Sequence, residues 1–161
     1  MRRSTYFNQL LVIVVCLALV FASACAEKRT WKRDPETGKY YYPVTPDMPE
    51  WAELAGNVDQ LAVCDIPDYV LEDVTETELV ELVLQNPKLG DVTVFNSFQE
   101  GLNFIGECIP PVKTILEDGS LRRYVEKNTD ENGNLVFTFD TSQYFEYGIT
   151  EYIEQGLAFY P

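Results

Sequence analysis

Val74–Pro87 reads VTETELVELVLQNP. Thr75-Glu76-Thr77-Glu78 has the spacing of a capping box. In that motif the N-cap hydroxyl accepts the N–H three residues on, and the glutamate there returns a bond to the N-cap N–H. Val74 and Leu79 stand at the two positions of a hydrophobic staple. Leu79, Val80, Leu82, Val83 and Leu84 then give a helix apolar around much of its circumference, and such a helix belongs in a core. Asn86-Pro87 ends it, because the residue before a proline is driven out of helical geometry.

Towards the C-terminus the pattern recurs. Ser97-Phe98-Gln99-Glu100 repeats the cap spacing, and Leu102, Phe104, Ile105 and Cys108 follow at helical intervals. Pro110-Pro111 breaks the chain, and Val112, Ile115 and Leu116 open a further helix that stops near Gly119. Residues 123–139 alternate in polarity on both sides of Asn132-Gly133, a strong hairpin signal, so a small β-hairpin is expected there. Asp140-Thr141-Ser142 can cap a last helix with Phe145, Ile149, Tyr152, Ile153 and Gly156 on one face.

Towards the N-terminus, DIPDYVLEDV reads as a short helical turn around Tyr69–Leu71. Before it, Asp47, Pro49 and Glu50 suit a helix start. Trp51, Leu54, Ala55, Val58, Leu61 and Ala62 share one helical face, which predicts one helix ending before Pro67. Residues 27–46 have no helical period, with a turn at Asp34–Gly38 and stops at Pro43 and Pro46. The fold class expected is mainly α: a small helical bundle or a short α–α repeat array, with the hairpin as a minor part.

The chain has 161 residues and a formal net charge of −14. Its first 24 residues carry Arg2 and Arg3, no acid, and an apolar run from Leu10 to Ala22. The run falls short of the roughly 20 residues a bilayer span needs, so residues 1–24 read as a signal peptide. Ala22-Ser23-Ala24 suits ordinary signal peptidase, and with Cys25 it also has the form of a bacterial lipobox. The usual lipobox has Leu where Ala22 stands. Lipid attachment at Cys25 is the expectation, placing the protein in the cell envelope outside the cytoplasm; soluble secretion is the alternative. Acyl chains on Cys25 would make the membrane its partner. Residues 25–46 hold five basic and three acidic side chains, and 47–161 hold five basic and 23 acidic. An extended basic tether, 25–46, is therefore expected before an acidic helical domain, 47–161. The acidity argues against a nucleic-acid partner, since phosphate binding needs clustered Lys and Arg.

The stretch from TPDMPEWAEL through GLNFI resembles a family of uncharacterised exported bacterial proteins. The resemblance rests on Cys64, Ile66 and Pro67, then on Thr75, Leu79, Val80, Leu84, Asn86 and Pro87, then on Asn96, Gln99, Glu100 and Gly101. It spans about 60 residues of cap, core and turn positions. It implies a helical, exported protein and brings no catalytic residue.

No histidine is present, which removes Ser-His-Asp and Cys-His catalysis and the usual catalytic zinc sites. No P-loop, GxGxxG, GxSxG or CxxC occurs, and no cofactor is implied. Cys64 and Cys108 are a candidate disulfide outside the cytosol, or two separately buried thiols. Asn128, Asp130 and Asn132 hold positions 1, 3 and 5 of a weak calcium-loop candidate, but Phe139 stands where the bidentate Glu belongs. Trp31, Tyr40, Tyr41, Tyr42, Tyr144 and Tyr147 are aromatics that could line an interface or stack on sugar. Two functional readings follow. One is a lipid-anchored binding or structural module. The other is a small exported hydrolase of glycosidase type, which would need two carboxylates held close in a cleft.

Overall fold

The computed structural model describes residues 30–137, 139 and 146–160. The chain divides into Met1–Trp31, of which only Thr30 and Trp31 are described, and Lys32–Pro161. The second unit is a small helical bundle. Its described elements are α1 (Pro49–Ala52), α2 (Asn57–Cys64), α3 (Asp68–Leu71), α4 (Glu76–Leu84), a 3₁₀ segment (Leu89–Val94), α5 (Phe98–Cys108), α6 (Pro110–Glu117), α7 (Ser120–Lys127) and α8 (Glu146–Phe159).

α4 starts as its sequence dictates. Glu78 N–H donates to Thr75 Oγ1 at 3.3 Å, and Thr75 N–H donates to Glu78 Oε2 at 2.9 Å. Val80, Leu82, Val83 and Leu84 are all buried. α5 packs on both the 3₁₀ segment and α6, while α4 meets α6 and α7, and α8 closes on the 3₁₀ segment. Gly101 makes the α5 contact feasible. A Cβ placed there would lie 2.3 Å from the Val92 carbonyl oxygen. On α8, Ile149, Tyr152 and Ile153 are buried, and the Tyr152 hydroxyl donates to Val112 O at 2.6 Å. Burial raises the Tyr152 pKa, which keeps that hydroxyl a donor.

Two expectations need correction. The helix expected from Asp47 to Pro67 is broken: Gly56 takes φ +97° between α1 and α2. Asp59 Oδ2 accepts the Ala55 N–H at 3.1 Å, so a local turn replaces helical pairing. The apolar residues listed for that face are not core. Val58 is 78% exposed, and Ala55 and Ala62 are exposed as well. The second correction concerns 123–139. Residues 120–127 form α7, because Leu121, Tyr124 and Val125 recur at helical spacing behind the Gly119 turn. Among the described residues the hairpin is reduced to one Thr129–Leu135 bridge. Gly133 N–H donates to Asp130 O, Asp130 N–H donates to Asn134 O, and Gly133 takes φ +85°. That is a three-residue loop with a glycine bulge rather than a two-residue Asn-Gly turn.

Residues 32–46 belong to the compact second unit, where Tyr42, Val44 and Thr45 are buried. This segment is called the strap below. The signal-peptide region 1–24 and Cys25 lie outside the described residues.

Candidate functional site

A groove of about 260 Å³ lies between α4 and α7. Glu76, Thr77 and Val80 line it from α4; Ser120, Arg123 and Lys127 line it from α7, with Tyr124 beside them. Gly119, at φ +78°, turns the chain so that α7 lies against α4. Arg123 crosses the mouth. Its Nε donates to Glu76 Oε1 at 2.9 Å and its Nη2 to Glu76 Oε2 at 2.8 Å. The same guanidinium donates to Asp118 O at 3.0 Å and to Ser120 Oγ at 3.1 Å. Pairing with Arg123 holds the Glu76 carboxyl below its ordinary range. Arg123 thus spends its fork on the fold, and the groove is framed by a closed ion pair.

A second polar cluster fastens the strap to α4. Arg33 Nε donates to Asp73 Oδ2 at 2.8 Å, and its Nη1 donates to Glu78 Oε1 at 3.0 Å. The guanidinium also lies over the Tyr40 ring, 4.7 Å from its centroid. Tyr40 OH donates to the same Asp73 oxygen at 2.9 Å. Lys39 Nζ reaches Glu81 Oε2 at 2.8 Å. Beneath them, Tyr42 OH donates to Leu82 O at 3.1 Å and accepts from Asn86 Nδ2 at 3.0 Å. Asn86 Nδ2 also donates to Cys64 O at 3.1 Å. The strap's arginine and one of its lysines are therefore engaged by the acidic body itself.

The carboxyls with resolved shifts behave alike. Asp34, Asp73, Glu76, Glu78 and Asp130 are all held below their ordinary range by N–H, O–H or guanidinium donors. A general acid for glycoside hydrolysis needs the opposite shift.

Cys64 ends α2 and Cys108 ends α5; both are free thiols, Cys64 fully buried and Cys108 half-buried. Burial pushes the Cys64 thiol up to about 12, which keeps it protonated and a poor nucleophile. Two of the three calcium-loop residues hold local backbone. Asn128 Nδ2 donates to Tyr124 O at 2.8 Å and so caps α7. Asp130 spends its carboxylate on the N–H groups of Asn132 and Asn134, each at 2.8 Å. Asn132 is exposed at the turn. No cluster of three or more His, Cys, Asp or Glu suited to a metal occurs among the described residues.

Of the candidate interface aromatics, Trp31 and Tyr42 are buried, Tyr40 is half-buried and Tyr41 is exposed. Tyr144 and the Tyr147 side chain lie outside the described residues. No helix among the described residues is long and apolar enough to cross a membrane. The hairpin expected over 123–139 hides the groove, because it places 123–127 in a strand rather than in α7. The signal was there in Leu121, Tyr124 and Val125. The Arg33 clamp had no local signal, since its partners lie 40 and 45 residues away. No family model, curated protein or solved structure matches this chain.

Proposed function

We propose that the chain is an exported protein, anchored by lipid on Cys25, whose acidic helical body serves as a binding or structural module rather than as a hydrolase. The observation that carries the non-catalytic half is the uniform lowering of the shifted carboxyls, which are occupied as caps, turn acceptors and ion-pair partners. Side chains in those roles are anions at neutral pH and serve as neither general acid nor nucleophile while so engaged. The anchor rests on the basic start, the apolar run and the small residues before Cys25. The resemblance to exported bacterial proteins points the same way.

Intact mass of the protein made in a bacterial host, beside a Cys25→Ala control, tests the anchor. The expected result is a chain beginning at Cys25 with added acyl mass, lost in the control. An unmodified mature chain in the medium overturns it. A carboxyl titration by NMR tests the other half. One acid titrating well above the ordinary carboxylate range would restore the hydrolase reading.

A further inference from the structure

Asn132-Gly133 is the single Asn-Gly pair in the chain, and both residues are exposed. Such a pair is open to intramolecular attack, because glycine brings no side chain to shield its own backbone nitrogen. Here the surrounding turn holds the attacking nitrogen and the backbone on both sides of it. The Gly133 N–H, which would have to lose its proton, donates to Asp130 O at 3.0 Å. The Asn132 N–H donates to Asp130 Oδ1 at 2.8 Å, and the Asn134 N–H donates to the same oxygen at 2.8 Å. Asn134 Nδ2 reaches Asp130 Oδ2 at 3.3 Å.

We propose that Asn132 is a deamidation site and that Asp130 is the residue that restrains it. In the reaction hydroxide removes the Gly133 amide proton, and the nitrogen attacks Asn132 Cγ. The new C–N bond forms as the Cγ–Nδ2 bond breaks, and Nδ2 leaves as ammonia after taking a proton from water. Water then opens the five-membered imide at either carbonyl, leaving aspartate or isoaspartate at 132. No oxidant or cofactor enters. In the native turn the attacking nitrogen is tied to Asp130 O, the backbone N–H groups of Asn132 and Asn134 are tied to the Asp130 carboxylate, and that carboxylate's charge opposes proton loss nearby. Isoaspartate would lengthen the backbone by one methylene between the Thr129–Leu135 partners.

The test follows isoaspartate and the Asn-to-Asp mass gain in full-length protein held at mildly alkaline pH, with peptide mapping. Wild type is compared native and in urea, beside native Asp130→Ala and Gly133→Ala. Native wild type should react roughly two- to tenfold more slowly than the urea sample, the factor one net hydrogen bond confers. Asp130→Ala, checked for intact helicity by circular dichroism, should recover much of the unfolded rate. Gly133→Ala should suppress the product in urea. A native rate equal to the unfolded rate overturns the restraint. An Asp130→Ala variant that is folded yet no faster overturns the role of Asp130. Isoaspartate mapping to Asp118-Gly119 and absent at 132 in urea overturns the site.

Discussion

The junction of the 3₁₀ segment with α5 and the stretch Pro49–Cys64 make an instructive pair. Both carry apolar residues at helical spacing. At the junction, Val92, Leu102 and Ile105 are buried, and two backbones approach until only glycine fits at 101. In Pro49–Cys64 the helix breaks at Gly56 and Val58 points to solvent. Periodicity therefore supplies a face, while a partner surface decides whether the face is used. α4 and α5 have caps and neighbours on several sides. The Pro49–Cys64 stretch is tied down at its far end, where Cys64 is buried and Lys88 Nζ reaches Asn57 Oδ1 and Gln60 Oε1, each at 3.2 Å.

Gly101→Ala should produce the largest effect. In an open helix the change would stabilise by about 1 kcal/mol through propensity. Here the added carbon meets a backbone oxygen, which cannot rotate away as a side chain can. Overpacking of this kind costs about 3 kcal/mol. The urea midpoint should fall sharply. An unchanged midpoint would show that the junction yields, and the contrast with Pro49–Cys64 would lose its basis.

The strap lies between these extremes, held by charge at its edge and by Tyr42 beneath. Asp73 is below its ordinary range first through its bond from Arg33, then through Tyr40. A carboxyl whose folded pKa is depressed stabilises the fold above its unfolded pKa, about 4, and that share is lost as pH falls through the folded value. Arg33 stays charged throughout, so the carboxyls set the window. With Asp73 more than half exposed, solvent screening keeps the effect modest. Asp73→Asn should lower the urea midpoint slightly at pH 7, and the gap from wild type should close by about pH 3. A gap constant with pH would assign the loss to the Tyr40 hydrogen bond rather than to charge.

Legibility followed locality. The α4 cap, the Ser97 cap of α5, the stop at Pro110 and the buried face of α8 were readable because each depends on residues within one or two turns. Ser97 Oγ accepts the Glu100 N–H at 3.2 Å, as the spacing required. Three features were not readable. The break at Gly56 depends on the missing partner surface. The partners that dock 32–46 lie far along the chain, where Arg33 meets Asp73 and Glu78 and Tyr42 meets Leu82 and Asn86. The groove depends on α7, whose polar composition masked three well-spaced apolar residues. Asn132-Gly133 misled for a physical reason: Asp130 captures the turn and moves the positive φ to Gly133 alone.

Val58→Ser carries the smallest expected effect and sharpens the comparison most cleanly. Were Val58 on a packed helical face, losing it would cost about 1.5–3 kcal/mol. At 78% exposure it has little burial to lose, and surface changes of this kind stay within about 0.5 kcal/mol. Position 58 is also the second residue of α2, in the first turn, where a short polar side chain is tolerated. The urea midpoint should therefore not move. A clear drop would mean that Val58 is covered in solution, and the broken Pro49–Cys64 stretch would then have to be read as a surface that something packs against.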